Sequence, residues 1–161
     1  MFTLKDGKIL DEWSNMLGGC AGMAEELIAA VEGRIRAQEA PGVATKRESV
    51  APGWIKGLFG KRRDYLIVTN ERFDEFMLCV GARDYGKNLD IAWYLTASPK
   101  LFGKSVAAGD VDLDVFDKQD LRAYVTIAHH AVLDAVEDVM KRQNLDVSRL
   151  DRKSRGRLGI A

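Results

Sequence analysis

The most chemically suggestive stretch of this chain is acidic: Asp110, Asp112, Asp114, Asp117 and Asp120. Its opening D-x-D-x-D spacing matches the first ligands of a calcium loop, where alternate carboxylates converge on a hard cation. The rest departs from that pattern. No glycine follows at the sixth position, and the twelfth is Leu121 where a bidentate glutamate is needed. Valine, leucine and phenylalanine fill the intervening places. The run therefore reads as a strand with one solvated face, followed by an acidic helix start that suits the helix dipole. No metal site is expected.

The two histidines, His129 and His130, are adjacent. Neighbours on a helix point about 100° apart and do not converge on one ion. On a helical wheel His129 lies at the edge of an apolar stripe, near Val125, Leu133 and Val136. His130 falls on the opposite face with Asp134, Glu137 and Lys141. The H-x-x-x-H and E-x-x-H spacings are missing. The expectation is a partly buried structural His129 and a solvated His130. Nucleophile elbows, Walker loops and dinucleotide fingerprints are also missing. Gly57-Leu58-Phe59-Gly60-Lys61 resembles a phosphate loop only faintly, because Arg62 stands where a Ser or Thr is needed. No catalytic residue and no cofactor is expected.

The stronger signals concern binding. From Lys46 to Arg63 there are six basic residues and one acidic residue, Glu48, with Trp54, Ile55, Leu58 and Phe59 interleaved. Such a segment can stack bases and hold phosphates, lie against a partner, or simply be a hairpin or connecting loop whose aromatics cap the core edge while Lys and Arg face water. The candidate binding residues are Trp54, Lys56, Lys61, Arg62, Arg63, Arg83 and Tyr85. Peripheral membrane contact is the weaker reading of the same segment. The last residues, 145–161, hold five basic and two acidic residues with Leu150, Leu158 and Ile160 among them. They read as a basic tail that binds a polyanion, docks through its apolar residues, or frays. A pocket between sheet and helices would draw on Arg83, Tyr85, Trp93 and His129.

These residues need positioning by regular elements. Asp11 to Gln38 carries Trp13, Met16, Leu17, Cys20, Leu27, Ile28, Val31 and Ile35 at helical spacing, which predicts a first long helix capped by Asp11 or Ser14. Gly18, Gly19 and Gly22 weaken it. Phe2 to Leu10 reads as a small hairpin or a turn. Val43 to Val50 is a candidate strand. Asp64 to Thr69, Phe73 to Val80 and Leu89 to Ala97 are β-rich or alternate with period two, separated by a turn at Asn70 to Arg72 and a polar loop at Gly81 to Asn88. Short connections predict antiparallel pairing. A further short strand at Val111 to Val115 would follow. Asp117 to Arg142 predicts a second long helix, with Asp117 as its cap and Asp120 as a capping-box partner.

The expected fold is α+β: an antiparallel meander of three to five strands packed against two long amphipathic helices, a two-layer sandwich. The chain has 161 residues and equal basic and acidic counts, 24 each. One domain over residues 1–144 with a basic tail fits that length. Neutrality removes any global attraction to nucleic acid or membrane. Cys20 and Cys79 read as small buried hydrophobes in a reducing compartment. Met1 to Lys8 lacks the apolar core of a secretory signal, and no run reaches about 18 apolar residues. A cytoplasmic protein is the expectation. The leading functional expectation is a non-catalytic binding or assembly module engaging a protein partner or itself. A nucleic-acid-binding module and a small enzyme or ligand-binding domain are the alternatives.

Overall fold

Two glycines redirect the first part of the chain. In the computed structural model, which describes residues 8–50, 63–97, 113–156 and 158–161, the helix expected from Asp11 is replaced by strand β1, Lys8–Leu17. Trp13 and Leu17 are buried while Ser14 and Met16 face out, the two-residue period of a strand. Trp13, Leu17 and Cys20 also satisfy helical spacing, so periodicity alone was ambiguous here. Gly19 and Gly22 adopt φ +74° and +91°. That left-handed backbone is open to glycine and costly for most other residues. It turns the chain, and helix α1 spans only Ala24–Ala37. Asp11 and Ser14 are strand residues, not helix caps. Glu25 and Glu26 open α1 while Arg34 and Arg36 close it, which complements the helix dipole.

The remaining elements are β2 (Val43–Val50), β3 (Arg63–Asn70), β4 (Phe76–Tyr85), β5 (Asn88–Ala97) and α2 (Val115–Arg142), then a short 3-10 turn at Val147–Arg149. The strands form one antiparallel sheet in the order β1-β5-β4-β3-β2. The expected meander from Asp64 to Ala97 is present. However, β4 continues through Gly81 to Tyr85, and the turn contracts to Gly86-Lys87, with Gly86 at φ +62°. The order is not helix, sheet, helix: β1 precedes α1 and returns to the sheet beside β5. Helix α2 starts earlier than expected because Asp114, not Asp117, is its cap. Asp114 Oδ1 accepts from the Asp117 N–H at 2.8 Å. Phe2 to Gly7 of the expected hairpin or turn, and Val111 and Asp112 of the expected further strand, lie outside the described residues; Leu113 to Val115 form no strand but lead into α2.

Both helices cover one sheet face. Leu27, Ile28, Val31 and Ile35 of α1, and Leu121, Val125, Val132, Val136 and Val139 of α2, share one core with Leu66, Val68, Leu78, Val80, Ile91 and Leu95. Of the stripe expected on the first helix, Leu27, Ile28, Val31 and Ile35 form the buried face of α1, whereas Trp13 to Cys20 precede the helix and Met16 is exposed. Arg47 of β2 reaches Glu25 and Glu32 of α1, and Arg34 of α1 reaches Asp138 of α2. Exposed pairs of this kind orient elements but contribute only about 0.2–1 kcal/mol each.

The sheet is unevenly joined. Strand β5 pairs with β4 from Phe76 to Tyr85, and β2 pairs with β3 from Arg63 to Asn70. Between β3 and β4 the ladder holds only three pairs, Leu66↔Val80, Ile67↔Cys79 and Val68↔Leu78. At one end of this short ladder the Tyr124 hydroxyl of α2 donates to the Val68 carbonyl of β3, beside the backbone of Leu78 in β4. At the other end the strands part.

The C-terminal segment is not frayed. Leu150 and Ile160 are buried in the main core. Ser154 N–H donates to the Ile160 carbonyl (2.7 Å), and Arg155 N–H to the Glu12 carbonyl of β1 (2.8 Å). The buried Asp11 carboxylate accepts from Ser154 Oγ at 3.1 Å and Leu158 N at 3.2 Å. The segment thereby covers the outer side of β1 where its pairing with β5 is irregular, between Ile9 and Asp11. Gly156 makes the approach close: a Cβ there would lie 2.5 Å from Asp11 Cα and 2.6 Å from the Leu10 carbonyl oxygen.

Two glycines should respond oppositely to alanine in urea denaturation. Gly33 lies exposed in α1 with nothing within 4 Å of an added Cβ, so Gly33→Ala should stabilise by roughly 0.5–1 kcal/mol. Gly156→Ala pushes backbone against backbone and should destabilise by about 1–3 kcal/mol.

Candidate functional site

Strand alternation places every other residue on the face away from the helices. Tyr65, Ile67 and Cys79 form a second small cluster there, with Met77 and Tyr94 against it. Where β3 and β4 part, the gap opens into a groove of about 400 Å³ lined by Arg63, Asp64, Tyr65, Gly81, Ala82, Arg83, Asp90, Ala92 and Tyr94. A missing side chain shapes its floor. Tyr65 lies over Gly81, and a Cβ at Gly81 would stand 2.6 Å from the Tyr65 ring. An aromatic side chain laid across a strand glycine shields that bare backbone.

The groove is rich in donors. Arg83 Nε donates to Asp90 Oδ2 at 3.0 Å, and its guanidinium sits 5.1 Å from the Tyr85 ring centroid. That stacking holds the fork in place, with a modest cation–π contribution. The Arg63 guanidinium lies beside the Tyr65 hydroxyl. Burial pushes the Tyr65 phenol above its usual value, opposed by Arg63, and burial raises Tyr94 likewise. Both phenols therefore keep their protons at neutral pH. Asp64, the other carboxylate in the lining, accepts from the Ser49 hydroxyl at 2.8 Å.

Among the sequence-derived candidates, Arg63 and Arg83 meet in this groove, and Tyr85 stacks at its rim. Trp54, Lys56, Lys61 and Arg62 lie outside the described residues. The four residues proposed to line a pocket between sheet and helices are separated: Arg83 and Tyr85 sit on the helix-free face, while Trp93 and His129 are packed in the core. Asp117 and Asp120 both engage Arg72. Among the described residues no group of three His, Cys, Asp or Glu side chains is placed to hold a metal ion. Cys20 and Cys79 are free and buried in the two different clusters, so the sheet stands between them. Burial pushes the Cys79 thiol up to about 12, which keeps it protonated and a poor nucleophile.

His129 is more deeply buried than expected. Trp93 Nε1–H donates to His129 Nδ1 at 3.0 Å, and His129 Nε2 bonds the Arg152 carbonyl at 2.7 Å. An indole only donates and a carbonyl only accepts, so the ring is neutral with its proton on Nε2. Trp13 packs edge-on against it and donates to the Asp151 carbonyl at 2.7 Å. His130 is exposed and bonds the Ala161 oxygen at 2.9 Å. The histidines thus anchor the C-terminal segment.

Tyr65, Gly81, Asp90 and Tyr94 were not anticipated as site residues. The signal was available in the alternation: Asp90, Ala92 and Tyr94 share a parity, as do Arg63 and Tyr65. What was missing was knowledge of which parity the helices would cover. No family model, curated protein or solved structure matches this chain.

Burial holds the His129 imidazole below its usual value. As pH falls, the unfolded chain binds this proton before the native state does. The contribution of neutral His129 is fully present above about pH 6.5, is lost as pH falls through the lower native value, and is then constant. Urea titrations across this range should show a steeper acid loss for the native chain than for His129→Gln. Imidazole NMR should show His129 still neutral at pH 6.5, and a normal midpoint for that resonance would contradict the arrangement.

Proposed function

We propose that this protein is a non-catalytic binding or assembly module whose helix-free sheet face engages a protein partner, a second copy of the chain being the simplest case. The observation that carries this reading is the composition of that face. Arg63, Arg83, Tyr65, Tyr85 and Tyr94 gather there around a groove, while both helices cover the opposite face. Arginine and tyrosine are both enriched at protein interfaces, arginine through a planar fork of donors and tyrosine through a rigid ring with a polar tip.

The other chemistry within the described residues is spent internally. His129 is bonded on both ring nitrogens, and both thiols are buried. The nucleic-acid alternative draws on Lys56, Lys61 and Arg62, outside the described residues, and on the C-terminal arginines. Of these, Arg149, Arg152 and Arg155 already pair with Asp146, Glu137 and Asp151. Free buried cysteines suit a reducing compartment, and the cytoplasm is the proposed location. No helix among the described residues is long and apolar enough to cross a membrane.

A photo-crosslinking residue at Tyr85, which is 58% exposed, should give protein adducts that a second substitution, Arg83→Glu, removes. The same label at exposed Lys118 on α2 should give none. Equal labelling from the two positions, or none from Tyr85, would overturn the reading. Light scattering of the purified chain then separates self-association from a different partner. Adding RNA in low salt should leave the scattering mass unchanged.

A further inference from the structure

We propose that the groove between the parted ends of β3 and β4 is an oxyanion site. It would take a carboxylate or phosphate group borne on a small organic body or on the partner's surface. This rests on the binding-module reading above and specifies what the face recognises.

The donors are fixed from three strands. None of the ion pairs among the described residues uses Arg63. Arg83 spends its Nε on Asp90, and neither Nη group is bonded within the described residues. Guanidinium forks match the paired oxygens of carboxylate and phosphate, and such charge-assisted bonds are about twice as strong as neutral ones. Tyr65 and Tyr94 also line the groove. Of the two carboxylates in the lining, Asp90 is paired with Arg83, while Asp64 has only the neutral Ser49 hydroxyl as its donor.

The floor also suits close approach. Gly81, Ala82 and Ala92 carry little or no side chain. Beyond Leu66↔Val80 the facing edges of β3 and β4 share no ladder pairing. A volume of about 400 Å³ exceeds one phosphate, leaving room for the moiety that carries it. A second groove of similar size, near Pro41, Phe73 and Tyr124, has no comparable donor set. Its Arg72 is held by Asp117 and Asp120, and its Tyr124 hydroxyl by Val68.

The test is a two-dimensional amide NMR titration of the full chain with inorganic phosphate and, separately, with succinate, each against sodium chloride at matched ionic strength. Saturable shifts centred on Arg63, Tyr65, Gly81 and Arg83 are expected. Affinity should fall at least tenfold in Arg63→Gln and in Arg83→Gln, and stay unchanged in Lys118→Gln. Response to one probe alone would identify the group the site prefers. Shifts no larger than those from chloride, or an Arg63→Gln chain that binds as tightly, would overturn the proposal. Crosslinking from Tyr85 without anion binding would refute this site and leave the docking face standing. Anion binding without crosslinking would do the reverse.

Discussion

One buried hydrogen-bonded chain ties the distant parts of this protein together. Trp93 of β5 donates to His129 of α2, and His129 donates to the Arg152 carbonyl of the C-terminal segment. Sheet, helix and terminus therefore meet at one neutral imidazole. A buried polar group without a partner costs about 1–3 kcal/mol, so each member holds the others to one arrangement. The Trp13 contact to Asp151 and the Asp11 contacts to Ser154 and Leu158 repeat the device on β1. Apolar burial supplies the main driving force for this core. The polar chain specifies which segment closes it.

That closure has a consequence for the edges of the sheet. An unpaired strand edge invites association with other chains. At β1 the edge is covered by the chain's own C-terminal segment, seated through Gly156 and the Arg155–Glu12 backbone contact. Of its arginines, Arg152 reaches Glu137 of α2 and so ties the segment to the helix, while Arg149 and Arg155 pair locally with Asp146 and Asp151.

The short β3–β4 ladder divides the sheet into a β1-β5-β4 unit and a β3-β2 hairpin. Tyr124 bridges the two at one end, from the helix side. At the opposite end the strands part over Gly81, and the groove opens on the other face. The same place brings arginine and tyrosine side chains together around the groove. Tyr65 lies over the bare glycine backbone and lines the groove, so one ring serves packing and surface chemistry at once.

Much of the architecture was legible in the residues. Alternation from Leu89 to Ala97 and the apolar stripe of α2 each follow from one dominant period, and the antiparallel meander followed from short connections. The segment from Asp11 to Leu17 carries an ambiguous pattern, because Trp13 and Leu17 satisfy both periods while Cys20 extends only the helical one. Gly19 and Gly22 decided between them through backbone freedom, not hydrophobicity. The depth of His129 and the docking of the C-terminal segment were not legible, since both depend on partners far away in sequence. The same holds for the groove. Local sequence determined that Arg63 and Tyr65 share one strand face, and Asp90 and Tyr94 another. Only tertiary structure decided that these are one surface, because which face lies away from the helices depends on where both helices pack.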